Sequence, residues 1–289
     1  MQLPPSELVL NASGSIYHLD LHPEQVAGTV FLVGDPGRVP MVSAHFDKIE
    51  HKVQKREFVT HTGWVGSKRF TVLSTGIGTD NIDIVLNELD ALVNIDLHTR
   101  TVRESLTSLD LIRLGTSGSL SADIPVDSFV SSVFGAGLDN LMHFYGNPTS
   151  EREDHIRKSL MAFAAQTGTN ITPSVSESNS LLEARAGKDM YRGITLTCPG
   201  FYAPQGRTLR LGSILSKAFF ETIGQFEAAG LRVTNFEMET AAIFGLAKLL
   251  GHRAASCNVI LANRITGDFS ANPRRAVEKL LQKAFDNLE

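Results

Sequence analysis

The chain has 289 residues, 42% of them hydrophobic, with 24 glycines and a formal net charge of -4 at pH 7. That composition belongs to a folded globular protein and excludes a disordered tail. The mild acidity argues against a partner bound through phosphate neutralisation, so no nucleic-acid partner is expected.

The opening "MQLPPSELVLNASGS" has no basic region followed by an apolar run, and no apolar stretch approaches the ~20 residues that span a bilayer. Neither a secretory leader nor a membrane partner is expected. The two cysteines, Cys198 and Cys257, lack metal-ligand spacing and read as reduced, buried thiols of a cytoplasmic protein, with no metal site.

In chain order, "GTVFLVG" (28–34) and "RFTVLSTG" (69–76) are short apolar runs ending in glycine and predict buried strands. Ile82, Val85, Leu86, Leu89, Leu92 and Val93 follow the 3.6-residue period of an amphipathic helix over 81–95. Residues 109–115 and 127–137 are strand-like, 151–168 a helix with a glycine stop, and 193–200 a strand. A helix is expected over 237–250, a strand over 252–264, and a last helix over 272–285 with proline near its start. Alternating strands and helices imply an α/β sandwich with a largely parallel sheet, and length alone allows one domain or two; the fold expected is one domain over 1–289, a three-layer α/β/α sandwich whose largely parallel sheet is mixed. Ligands collect beyond the carboxyl ends of strands in such sheets, and polar motifs follow strand after strand here.

Each motif admits two readings. "GDPGR" (34–38) is a turn in which Gly34 permits close backbone approach and Arg38 can hold an oxyanion, or a plain strand-to-helix turn with a surface arginine. In "IRLGTSGSL" (112–120), Arg113 sits in an apolar strand and needs an anion, either an internal carboxylate or a ligand. Thr116 and the adjacent glycines supply hydroxyl and backbone donors suited to phosphate, or simply a glycine turn. Arg56 in "KREF" reads by default as a surface charge, and His18 as a lone histidine. In "GFYAPQGR" (200–207), Phe201 can stack on a planar ring while Gln205 and Arg207 read its edges, or the stretch is a surface loop. Glu237 and Glu239, flanking Met238, suit the positive end of a helix dipole, or the two hydroxyls of a vicinal diol with Met238 against the sugar.

Taken together, "GDPGR", "KREF", "STGIG", "RLGTSG", "FYAPQGR", "NFEMET" and "ANR" resemble, in this order, the uridine phosphorylases of the nucleoside phosphorylase superfamily. The likeness runs from His18 to about Arg264. It implies inorganic phosphate as co-substrate, held by Gly34, Arg38, Arg113 and Thr116, with Arg56 lent by a neighbouring subunit. His18, also from the neighbour, would reach the ribose, which Glu237, Met238 and Glu239 bind. Phe201, Gln205 and Arg207 would hold uracil, and Arg264 would support the base pocket. The resemblance implies a homodimer as minimal unit, or a hexamer, with no organic cofactor. It also implies a monovalent cation at the dimer interface, for which Glu57 and Ile77 match two ligands while Asn81 stands where bacterial relatives carry serine. The segment 93–110 is longer than in compact bacterial relatives, and 138–150 is hard to register.

The implied reaction is phosphorolysis of uridine to uracil and ribose 1-phosphate, in pyrimidine salvage, with Arg113, Arg38, Glu239 and Arg207 at its centre. The rivals are a purine nucleoside phosphorylase, which would place an aspartate late in the chain where "SCNVILANR" has no acid, and a nucleoside hydrolase, which would need no phosphate cluster. A non-catalytic nucleoside-binding protein is a third reading.

Overall fold

A computed structural model describes residues 2–146 and 148–288. The chain up to Ile112, with Leu250–Arg253, forms one compact unit, and Arg113–Leu249 with the stretch from Ala254 forms another.

In the first unit, the apolar strand β1 (Thr29–Val33) is followed by the 34–37 turn and α1 (Arg38–Ser43). β2 (Lys48–Lys55), β3 (Phe58–Val65) and β4 (Lys68–Ser74) form an antiparallel meander, and β4 lies parallel to β1. β2 alternates exposed and half-buried residues, most of them charged or polar, the composition of an edge strand that resists pairing with strangers. The tight turn between β2 and β3 is the "KREF" motif, with Arg56 in the left-handed region at φ 54°. α2 (Thr79–Asn94) buries Ile82, Val85, Leu86, Leu89 and Leu92, the apolar stripe its sequence predicts. The long 93–110 segment begins as a small ribbon of β5 (Ile95–Asp96) and β6 (Thr101–Val102). Asp96 closes that ribbon by accepting from the N–H groups of His98 at 2.9 Å and Thr99 at 2.8 Å.

The strand β7 (Asp110–Ser119) carries the chain into the second unit, which contains β8 (Phe129–Gly137), α3 (Glu151–Gln166), β9 (Ser174–Glu177), α4 (Ser180–Ala186) and β10 (Tyr191–Thr197). After a long loop come α5 (Lys217–Thr222), β11 (Glu227–Ala228), β12 (Leu231–Glu237), α6 (Thr240–Leu250), β13 (Arg253–Asn263) and α7 (Pro273–Leu288). β10 is flanked by β8 and β12, both parallel to it. β13 and β9 pair antiparallel with successive parts of β8, and the end of β12 pairs antiparallel with the end of β7. Phe134, Ile194, Leu196, Val233 and Phe236 pack with Ile156 and Leu160 of α3 and Phe219 of α5 in a fully apolar core. Cys198 and Cys257 are buried free thiols. Among the described residues no helix is long and apolar enough to cross a membrane.

The mixed α/β architecture agrees with the sequence, and two local expectations shift. The helix expected from Glu237 starts at Thr240, because Asn235, Phe236 and Glu237 extend β12 in register with Thr195, Leu196 and Thr197. A strand buried on both faces shows no alternation to separate it from the helix that follows. The glycine turn expected at 115–118 is instead part of β7. Its glycines serve clearance: a Cβ on Gly115 would stand 1.6 Å from Arg113 Nη1, and one on Gly118 would stand 3.0 Å from the Phe236 ring.

Candidate active site

Arg113 is the buried cation that its apolar strand made conspicuous. Its Nη2 donates to Glu239 Oε2 and lies 3.2 Å from Glu237 Oε2, and its Nη1 donates to Asn258 Oδ1 at 2.6 Å. Burial alone would lower its pKa, but Glu237 and Glu239 more than offset that and hold it above the ordinary value. These two carboxylates are internal anions for Arg113. Asn258 was missed in the sequence, although an amide in the middle of "SCNVIL" carries the same signal as Arg113: a polar group in an apolar strand needs a partner.

Glu237 ends β12 and binds the start of α6. It accepts from Thr197 Oγ1 at 2.7 Å, from the Glu239 N–H at 2.9 Å and from the Thr240 N–H at 3.0 Å. This satisfies orphan donors at a helix N-terminus, so the helix-dipole reading of the acidic pair applies to Glu237. Burial pushes its pKa up, against the pull of Arg113. Glu239 is also buried, while Met238 between them is half-exposed. A backbone bend thus presents one thioether between two ionisable side chains anchored on Arg113.

A cavity of about 640 Å³ lies against Phe236, the residue before Glu237, and is lined by Tyr202, Gln205, Arg207, Phe220 and Arg264. Arg207 stacks over the Phe201 ring at 3.7 Å from its centroid. It also donates to the Phe201 carbonyl at 2.6 Å and to Gln205 Oε1 at 2.5 Å. Arg207 and Arg264 both reach the Phe236 ring, at 5.6 and 5.7 Å. Among the described residues neither guanidinium pairs with a carboxylate. Burial, with Arg264 adding repulsion, lowers the Arg207 pKa to about 10, and burial lowers that of Arg264. Among the described residues the only carboxylate in the lining, Glu221, is exposed and sits 3.3 Å from Lys217. Two half-buried guanidinium groups in one cavity, with Lys217 of the same lining already paired with Glu221, favour a ligand that carries or develops negative charge. Of the residues the sequence pointed to, Gln205, Arg207 and Arg264 line this cavity, while Phe201 is outside the lining, exposed and stacked on Arg207; Phe236, Tyr202 and Phe220 gave no signal of their own.

In the first unit, Asp35 Oδ1 accepts from the Gly37 N–H at 2.9 Å, and the Arg38 N–H donates to the Asp35 carbonyl at 2.9 Å. This Asx turn delivers the half-buried Arg38 at the first position of α1, beside Gly34. Arg56 is exposed and makes no ion pair among the described residues. His18 is brought close to the same hairpin. Lys55 Nζ donates to the Tyr17 carbonyl at 2.7 Å and to Asn11 Oδ1 at 2.8 Å, and lies over the Tyr17 ring. The His18 Nδ1 and Glu88 Oε1 are 2.7 Å apart. In the second unit, Thr116 is half-exposed in β7.

Glu57 and Asn81 meet at Gly76, where a Cβ would lie 3.2 Å from Glu57 Cγ and 2.3 Å from Asn81 Nδ2; Ile77 follows, mostly exposed. The Glu57 carboxylate, the Asn81 amide oxygen and the Ile77 main-chain carbonyl are hard oxygen donors, the type an alkali cation takes. No group of three or more His, Cys, Asp or Glu able to hold a metal ion occurs among the described residues.

A buried arginine tied to two glutamates lies one residue along the chain from the wall of a cationic, aromatic-lined cavity, and comparison with known proteins gives the chain its family. The model of the phosphorylase superfamily matches residues 29–288, and the chain belongs to that superfamily. It is similar to the uridine phosphorylase of Thermococcus kodakarensis, at 30% identity over 256 residues, covering 89% of this chain and 80% of the relative. The uridine phosphorylase of Escherichia coli is 25% identical over 256 residues, with 88% of each chain covered. Among solved structures, a Trypanosoma brucei nucleoside phosphorylase described as showing uridine phosphorylase activity superposes with a TM-score of 0.88, at 28% identity over 97% of this chain and 99% of that one.

Proposed function

We propose that this chain is a pentosyltransferase that phosphorolyses uridine reversibly to uracil and ribose 1-phosphate, serving pyrimidine salvage. The observation that carries the reading is the pair of guanidinium groups, Arg207 and Arg264, in one cavity with Gln205 and, among the described residues, no buried acid in its lining. Cleavage of the bond between ribose C1′ and uracil N1 sends its electron pair into the pyrimidine. Arg207 is aimed where that charge develops, and Gln205 completes the donor–acceptor set along the uracil edge. Glu239, with Glu237 and Met238, holds the ribose through its vicinal hydroxyls.

Positive charge grows on the sugar as the bond stretches. A phosphate dianion held by Gly34, Arg38, Arg113 and Thr116, with Arg56 from a partner copy, stabilises that charge and then bonds to C1′. Arg113 serves both ends in this scheme, since its carboxylate partner is the ribose-binding Glu239. Holding both reactants in one orientation supplies much of the remaining acceleration, and no side chain acts as a nucleophile. His18 and Arg56 act across a homodimer, the minimal unit, whether or not dimers assemble further. Glu57, Ile77 and Asn81 would hold a monovalent cation at that interface, where it would neutralise charge. Two buried reduced thiols fit a cytoplasmic setting.

Purine nucleosides are the second reading, because the DeoD-type purine nucleoside phosphorylase of Listeria welshimeri is 24% identical over 263 residues. A purine leaves more readily with N7 protonated, and among the described residues the cavity lining offers only the exposed, Lys217-paired Glu221 for that task. Assaying uridine, thymidine and inosine with and without phosphate decides the matter: uracil released only with phosphate, together with ribose 1-phosphate, is expected. Phosphate-independent release identifies a hydrolase, preference for inosine a purine enzyme, and no turnover a binding protein.

A further inference from the structure

Glu88 of α2 spends its carboxylate on the segment that bears His18. Oε1 and Oε2 each accept from the His18 N–H at 3.0 Å, and Oε2 accepts from the Leu19 N–H at 2.8 Å. Oε1 also lies 2.7 Å from His18 Nδ1. One side chain therefore fixes both the backbone and the ring of the same histidine. The Glu88 side chain is largely buried while that of His18 is about one quarter exposed, and the Tyr17 ring meets the imidazole edge-on at 4.7 Å.

We infer that Glu88 is a positioning residue for the phosphorolysis proposed above: it holds the proton of His18 on Nδ1 and so presents Nε2 to the ribose 5′-hydroxyl of a nucleoside in a partner copy's site. An ionised carboxylate only accepts, so the ring nitrogen facing it must carry hydrogen. A histidine's tautomer and orientation are set by the hydrogen bond its other nitrogen makes. Uridine's sugar has three hydroxyls. The acidic pair at Glu237 and Glu239 takes the vicinal two, which leaves the 5′-hydroxyl for a group arriving from another subunit. The inference rests on that reading of the site, and adds the residue that sets the histidine's register.

The test compares uridine with 5′-deoxyuridine, in the presence of phosphate, for wild type, His18→Ala, Glu88→Gln and Glu88→Ala. In wild type and Glu88→Gln the His18 ring nitrogens are also followed by 15N NMR. Glutamine keeps the size of Glu88 but replaces one acceptor oxygen by a donor, so it cannot satisfy the ring and both N–H groups together. The expected result is a loss of about tenfold in kcat/KM for uridine in all three variants, the scale of one hydrogen bond, with 5′-deoxyuridine changed less than about twofold. Wild type should show a protonated Nδ1, and Glu88→Gln a mixture of tautomers. A general loss of fold would depress both substrates alike, so the substrate ratio separates positioning from structure.

If His18→Ala collapses the substrate ratio and both Glu88 variants preserve it, the inference is overturned. It is equally overturned if His18→Ala leaves the ratio intact, with uridine phosphorolysis itself still standing. Should wild type fail to split uridine, the site reading falls, and the NMR arm still decides on Glu88: an unprotonated Nδ1 in wild type, or identical ring signals in Glu88→Gln, overturns its role.

Discussion

Lys55 Nζ reaches the main-chain carbonyl of Tyr17 at 2.7 Å, which bolts the hairpin turn bearing Arg56 to the loop bearing His18. These are the two residues proposed to act in a partner copy's site, and this contact ties the segments that carry them to each other. Lys55→Met keeps the aliphatic stem and removes all three donors. It should lower kcat/KM for uridine by at least about tenfold, as misplaced groups do, while the folded fraction by circular dichroism stays the same. An unchanged rate would separate the two elements.

Arg207 holds its place by stacking on Phe201 and by two short hydrogen bonds. Arg207→Ala should reduce turnover of uridine by about 100-fold, the usual cost of deleting one preorganised donor at a site of developing charge. Its thermal midpoint should move little, because the residue is only partly buried. Steady-state rates beside a melting curve check both halves.

Gly115 is a prediction about stability. A Cβ there meets Arg113 Nη1 at 1.6 Å and Asn258 Oδ1 at 2.4 Å, so Gly115→Ala must displace a guanidinium paired with two carboxylates. The expected loss is about 3 kcal/mol, in the range for overpacking plus a disturbed buried ion pair, read from urea denaturation. Activity should fall with it, since Arg113 and Glu239 move together.

Glu153 gives the acid limb of the stability curve. Burial opposes its ionisation, but Lys248 at 2.7 Å, the Ser150 N–H at 2.6 Å and the Glu177 N–H at 2.9 Å prevail and hold its pKa below the ordinary 4.5. A depressed folded pKa means the unfolded chain binds the proton more tightly. Stability from this group is therefore complete above about pH 4.5 and is lost as pH falls through the lower folded value. Glu153→Gln should cost about 1–3 kcal/mol at pH 7 and show a flatter loss of stability below pH 4.5, measured by denaturation at stepped pH.

How far the sequence carried depended on which signal each residue left. β1, α2, α3 and α7 were legible because their apolar spacing or their stop signals are local, as with Gly168 just beyond α3. β12 was not, because Val233 to Glu237 are buried on both faces and continue into the equally apolar α6. The β2–β3 hairpin was hidden for the opposite reason: its charged edge strand looks like loop. Within the site, Arg113 announced itself as a charge in an apolar run, while its partner Asn258 lies 145 residues away and is tied to it only by folding. Glu88 carried no signal, since a glutamate on a helix is ordinary until a distant loop closes over it.

The two thiols have a practical consequence. Burial, reinforced by Glu183, raises the Cys257 pKa to about 12, and burial with Glu237 raises that of Cys198 as well. Nucleophilic attack needs the thiolate, so both are inert to alkylating dyes near neutrality. The natural chain is therefore already a silent background for spectroscopy: a cysteine introduced at the fully exposed Ile214, between cavity residues Ser213 and Leu215, would take a single fluorophore and report when substrate enters, with no native residue removed elsewhere.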